Sequence, residues 1–303
     1  MNAERGKSDT ALRIMAWLTV FIGSSLFDII SREYFGGFHW WVGVAQSAVL
    51  TAGGIAALMS ERFRGIGRFM LAVAALRLCW YVVAPRLGAT QTLLAWRQNT
   101  NWGAHLFMFR CLPLVGAGLM VLTLVGAGIR REDAYLQIGD MAARAEPIPW
   151  LGIRRRIRWT VFGPILLVVF GIALPSFLYF SLQPDLGACA RVVQFLPWIL
   201  LTAALNAANE EFQFRCVLLA HLRKIVTPAE AVLITAILFG VGHYYGQPSG
   251  AIGVVMASIA GWVWGKSMVE TRGFGWAFVI HMVQDIVIFA FLAMTLASKS
   301  PLP

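Results

Sequence analysis

Six ionisable side chains in the second half of the chain stand where an apolar sequence can least accommodate charge: Glu210, Glu211 and Arg215, then His243, then His281 and Asp285. A carboxylate can take a proton from water and return it to a leaving group. A neighbouring donor or cation can steady the negative charge that builds on a substrate carbonyl. Histidine and carboxylate oxygen are also the ligand types of zinc, and buried Glu, His and Asp are the parts of a proton relay. Peptide hydrolysis, metal-assisted hydrolysis and proton-coupled transport are therefore the chemistries this set can serve. All six fall in or beside apolar stretches, where a charge needs a partner or a task.

The elements that must position them are membrane helices. Of 303 residues, 58% are hydrophobic and 13% charged, and the mean hydropathy is +0.69, well outside the range of a soluble domain. Apolar stretches recur at 12–30, 40–59, 66–84, 104–129, 160–181, 190–207, 229–243, 250–266 and 276–297. At about 20 residues per crossing this predicts an all-α, polytopic transmembrane helical bundle of about nine spans. Arg5, Lys7 and Arg13 precede the first stretch without a small-residue cleavage pattern after it, so it reads as a retained span.

The net charge of +10 does not point to nucleic acid, because the basic residues sit in short joints and form no aromatic-interleaved patch. Arg62, Arg64 and Arg68, then Arg130, Arg131 and Arg154–Arg156, then Arg223 and Lys224, then Lys266 and Arg272 mark every second joint. Intervening joints are poorer in charge, with Arg32 beside Glu33 and Asp185 before Arg191, and Arg86 and Arg97 run against the pattern. By the positive-inside rule the N-terminus is expected in the cytoplasm. The scarcity of lysine, with Lys7, Lys224, Lys266 and Lys299 against many arginines, suggests a bacterial chain and hence the inner cell membrane. Cys79, Cys111, Cys189 and Cys216 have no paired spacing and read as small apolar residues.

The polar segment 131–158 separates four spans, within residues 1–130, from the remainder, 159–303. Tyr135, Ile138 and Met141 are spaced for a short amphipathic helix on the membrane surface, with a solvated loop as the alternative. In the first four spans Asp28, His39, Gln46 and His105 occur at no spacing that builds a site, and the two histidines lie near span ends where water is within reach. The sixth stretch is expected to continue as a helix through TAALNAANEEFQFRCVLLAHL, where Asn206, Asn209, Glu210 and Gln213 line one face. Glu211 precedes Arg215 by four residues, the orientation that favours an ion pair, and this leaves Glu210 as the carboxylate without a partner, poised for proton exchange. Counting 1.5 Å per residue places Glu210 and His243 both roughly 20 Å from the basic side, with His281 and Asp285 roughly 9 and 15 Å in. His281 and Asp285 share a helix face, where the carboxylate could orient the imidazole or itself hold a substrate amide.

EEFQFR at 210–215, FGVGH at 239–243 and HMVQD at 281–285 resemble, in order, the E-E-x-x-x-R, F-x-x-x-H and H-x-x-x-N/D motifs of the CPBP (CAAX protease and bacteriocin-processing) family of intramembrane endopeptidases. The resemblance covers residues 160–297 and leaves the first four spans outside. It implies a glutamate-dependent peptidase core over 159–303 with a water-filled cavity open to the cytoplasm, acting on a membrane-associated peptide or protein in the lipid bilayer. Glu210 would activate water, His243 would bind that water or the developing oxyanion, His281 and Asp285 would complete the site, and Glu211 with Arg215 would support it. Where other members have Asn, this chain has Asp285, which when ionised cannot donate to an oxyanion and would orient His281 or the water. The resemblance implies no cofactor. A zinc site built from Glu210, His243, His281 and Asp285 is the nearest alternative, although there is no H-E-x-x-H; a proton-coupled carrier and a non-catalytic immunity protein are the others. Tyr244, Tyr245, Trp262, Trp264 and Trp276 read as membrane-interface aromatics, and Gly240, Gly242, Gly246, Gly250, Gly253 and Gly261 as points of close helix packing.

Overall fold

The computed structural model describes residues 9–37, 39–184 and 186–297; Arg5, Lys7, Asp185 and Lys299 lie outside the described residues. The chain is an all-α, polytopic helical bundle. Seven helices among the described residues are long and apolar enough to cross a membrane: Thr10–Phe35, Trp40–Leu58, Arg64–Gly88, Trp102–Gly126, Trp159–Leu182, Gly250–Thr271 and Gly275–Thr295. The two remaining apolar stretches form Leu196–Glu211, with Pro197 in its first turn where a missing amide costs nothing, and the shorter Pro228–Gly242. The helix predicted to run on through the polar motif does so, as a π turn Phe212–Val217 followed by Leu218–Leu222. A π turn breaks the α register. Gln213 therefore does not stack under Asn206 and Glu210 as the spacing suggested; its Oε1 accepts from Trp80 Nε1 at 2.9 Å.

The residues group into two compact units. The first holds 1–85, 115–134 and 212–266. Its core is built on Ala16, Leu50, Ile66, Phe69 and Val73, all fully buried. Glycine sets the spacing of Trp40–Leu58 against Arg64–Leu78, since a Cβ on Gly67 would stand 2.7 Å from the carbonyl oxygen of Gly54. Asp28, which had no partner in the sequence reading, is ion-paired with Arg77, and both are buried. The Arg77 guanidinium also lies 3.7 Å from the ring centre of Tyr81. The partly buried carboxylate of Glu230 accepts from Arg13 Nε at 3.0 Å and Trp17 Nε1 at 3.0 Å, tying Pro228–Gly242 to the first helix.

The second unit holds 86–114, 135–211 and 267–303. Here Leu196–Glu211 runs antiparallel to Gly275–Ala297, as the pairing of Ile199 and Ala203 with Phe289 and Ala293 in one apolar cluster shows. The segment 135–158 forms no amphipathic helix. It turns at Tyr135 (φ 57°) and closes a short antiparallel ladder, Arg144–Ala145 with Ile157–Arg158. Its backbone groups are claimed by the turn before the last helix: Asp140 N donates to Thr271 O at 2.8 Å and Phe274 N to Gln137 O at 2.9 Å. Glu270 then accepts from Glu146 N at 3.0 Å and from Trp159 Nε1 at 2.9 Å. Trp276, expected at an interface, is buried, packs where a Cβ on Gly163 would collide with it, and donates to Met141 O at 3.0 Å.

Candidate active site

The same faces of Leu196–Glu211 and Gly275–Ala297 that are apolar at Ile199, Ala203, Phe289 and Ala293 become polar one to two turns on, at Asn206, Glu210, His281 and Asp285. Apolar packing between the two helices thus fixes the register that brings the polar groups opposite one another. All are buried: Glu210 is 4% exposed, Glu211 0%, His281 3% and Asp285 5%.

Inside the second unit His281 is the hub. Its Nδ1 is 2.8 Å from Glu211 Oε1, a hydrogen-bond distance in which a carboxylate acts as acceptor and Nδ1–H as donor. Its Nε2 faces Glu210 Oε2 at 3.6 Å and Asp285 Oδ2 at 3.7 Å, separations at which each carboxylate neighbours the imidazole without a direct hydrogen bond. The group that orients the ring is therefore Glu211, whereas the i, i+4 spacing had suggested Asp285. Asp285 is itself held by Asn206, whose Nδ2 donates to Oδ2 at 2.9 Å. Three carboxylates and one imidazole share this space, and a fourth element contributes a cation: Arg110 NH1 lies 4.0 Å from Glu210 Oε1. Glu210, which the sequence left unpartnered, is bracketed by His281 on one oxygen and Arg110 on the other.

Arg110 comes from the helix Trp102–Cys111, in the part of the chain where no site was legible. Trp102–Cys111 approaches Leu196–Glu211 closely because position 103 is glycine; a Cβ there would stand 2.6 Å from Trp198 Cγ. Seven residues on, Arg110 shares the face of Gly103 and so reaches the Glu210 turn. The available signal was an arginine inside an apolar run, which by itself demands a partner. Arg77 carried the same signal.

The first unit holds the other two predicted residues. Arg215 is fully buried, with its guanidinium 4.0 Å from the centre of the Phe239 ring and 4.8 Å from that of Trp264. Trp264 is thus buried beneath an arginine and not at an interface. Gly261 makes room for the same guanidinium, since a Cβ there would be 2.5 Å from Arg215 NH2. Gly240 likewise lies where a Cβ would strike Ser258 Oγ, in keeping with a packing role, whereas Gly250 is required by its φ of 71°. His243 caps Pro228–Gly242, half-buried, with Nδ1 2.9 Å from Phe239 O. A carbonyl only accepts, so Nδ1 is the protonated nitrogen and Nε2 of the neutral ring is an acceptor. Cys79 and Cys216 are buried, but Cys189 is exposed and Cys111 partly so. Among the described residues no group of three or more His, Cys, Asp or Glu has an arrangement that could hold a metal ion.

Residues 192–287 match the family described as type II CAAX prenyl endopeptidase Rce1-like, in agreement with the CPBP resemblance. The matched segment contains all six predicted residues and Asn206, and excludes Arg110, Asp28 and Arg77. Comparison with curated proteins and with solved structures gave no match.

Proposed function

We propose, taking the Rce1-like segment as premise, that the chain is a glutamate-dependent intramembrane endopeptidase that hydrolyses a peptide bond in a membrane-associated peptide or protein. What carries the reading is the arrangement inside the second unit, where a buried Glu210 stands beside an imidazole already oriented by a second carboxylate. Glu210 takes a proton from water as the water oxygen attacks the scissile carbonyl carbon, and returns it to the leaving amide nitrogen as the carbon–nitrogen bond breaks. Glu211 holds His281 in one tautomer and orientation. Asn206 holds Asp285, so that its free oxygen can accept a hydrogen from the attacking water. His243, with Nε2 as acceptor, suits the binding of water better than donation to an oxyanion. Arg215 is assigned the supporting role that the family resemblance implies. The charge pattern of the joints favours a cytoplasmic N-terminus, and the scarcity of lysine favours a bacterial inner-membrane protein.

The test is cleavage of a membrane-tethered peptide by the purified protein in detergent, wild type against Glu210→Gln, each with and without a strong chelator. The expected result is a loss of about 10²–10⁴-fold in kcat for Glu210→Gln and no chelator effect. Loss of wild-type activity on chelation would refute a metal-free glutamate mechanism and favour the zinc alternative. Absence of cleavage across prenylated-tail, leader and C-terminal sorting peptides would refute the peptidase reading.

A further inference from the structure

Resting on that peptidase reading, we propose that Arg110 is a further catalytic residue, the donor that stabilises the oxyanion of the tetrahedral intermediate. The need for such a donor follows from this chain's own residues. When water attacks, the carbonyl π electrons move onto oxygen, and a buried oxyanion without a donor is costly. Asp285 already accepts from Asn206 through Oδ2, and the carboxylate form has no hydrogen to give where an asparagine would. The neutral His243 commits its one N–H to Phe239 O. His281 commits Nδ1–H to Glu211, and its Nε2 looks toward two carboxylates.

Arg110 has hydrogens to spare. Its NH1 is 4.0 Å from Glu210 Oε1, on the side of that carboxylate away from His281. Its Nε is buried with no hydrogen-bond partner among the described residues. The guanidinium lies 5.5 Å from the centre of the Phe289 ring, and the side chain keeps 31% exposure, so it can turn toward an incoming group. A water held by Glu210 must sit about 3–3.5 Å from the carbon it attacks, so the oxygen of that carbonyl falls within a guanidinium's reach of the base. Arginine stays protonated in any such environment, and its planar fork matches two oxygen lone pairs. During the reaction it donates hydrogen bonds and transfers no proton. The proton cycle remains water to Glu210 to leaving nitrogen. Arg110 lies outside the matched family segment, so the role belongs to this chain's additional helices.

The experiment measures kcat and KM for wild type, Arg110→Gln and Arg110→Lys on a membrane-tethered peptide, with thermal unfolding of each to confirm folding. Removal of one oxyanion donor predicts a fall of about 10²–10³-fold in kcat for Arg110→Gln with KM little changed. Arg110→Lys, which keeps the charge, recovers part of the rate. A merely structural arginine would lower thermal stability without this split between kcat and KM. A wild-type kcat in Arg110→Gln overturns the inference, as does a loss confined to KM or to peptides with a free terminal carboxylate, which would make Arg110 a substrate-binding group. Should Arg110→Gln not fold, Arg110→Lys decides: unchanged kcat together with weaker substrate binding overturns the proposal. Cleavage by wild type that is abolished in Glu210→Gln keeps the peptidase reading standing when the inference fails, and no cleavage by wild type sinks that reading itself.

Discussion

Replacing Glu211 separates its charge from its shape. Glu211 Oε1 accepts from His281 Nδ1 at 2.8 Å, with the acceptor fully buried and the donor nearly so, so no water can take over when the bond is lost. A buried hydrogen bond to a charged group contributes about 1.5–3 kcal/mol and a neutral one about 0.5–1.5. Glu211→Gln keeps an oxygen that accepts from Nδ1–H and gives up the charge, a difference of about 1–1.5 kcal/mol. At about 1.4 kcal/mol per decade that is roughly a tenfold fall in kcat. Glu211→Leu leaves Nδ1–H without an acceptor and frees the ring to rotate or change tautomer, which removes the whole bond and predicts about 10²-fold or more. The assay is peptide cleavage in detergent, read beside the ¹⁵N shifts of the His281 ring in labelled protein, where the wild type should report a protonated Nδ1. Equal rates for Gln and Leu, or a wild-type Nδ1 without a proton, would refute the assignment of Glu211 as the group that sets His281.

Two stability predictions follow from the fold. Asp28→Asn leaves Arg77 buried without its counter-ion, a loss of about 3–5 kcal/mol for a broken buried pair. Thermal unfolding in detergent should show a clear drop that the joint replacement Asp28→Leu with Arg77→Met largely restores; no drop in the single variant contradicts the pairing. Gly139→Ala should cost about 1–3 kcal/mol, because φ is 83° and the added Cβ would stand 2.6 Å from Thr271 O and 2.7 Å from Gly273 N. Faster hydrogen exchange at the Asp140 amide would register the loosening of segment 135–158, and unchanged protection would count against it.

Periodicity and hydropathy revealed the helices well, because a membrane crossing is set by length and apolar content, which are local properties of the chain. The stretch that continues through the polar motif was legible for the same reason. The segment 135–158 was not. Its apolar residues have a helical spacing, but its backbone groups find partners more than a hundred residues away at Thr271 and Phe274, and such pairing leaves no local trace. Asp28 looked solitary and Arg77 passed unnoticed, since an ion pair between two helices is invisible along either one. The π turn also has no pattern of its own in the sequence, and it displaced Gln213 from the face to which an α-helical count assigned it.

The sequence by itself determined the helical, apolar character of the chain and singled out the candidate residues for the proposed chemistry: a glutamate pair, an arginine, two histidines and an aspartate, each in or beside an apolar stretch. Tertiary structure alone decided how they are paired. Glu211, not Asp285, holds His281; Asn206 holds Asp285; and Arg110, from helices that had shown no site, stands beside Glu210. The reason is physical. A helix fixes neighbours three and four residues apart, but the partner across a helix interface depends on register and on how closely the backbones approach, and here that is set by the apolar cluster around Ile199 and Phe289 and by the bare backbone of Gly103.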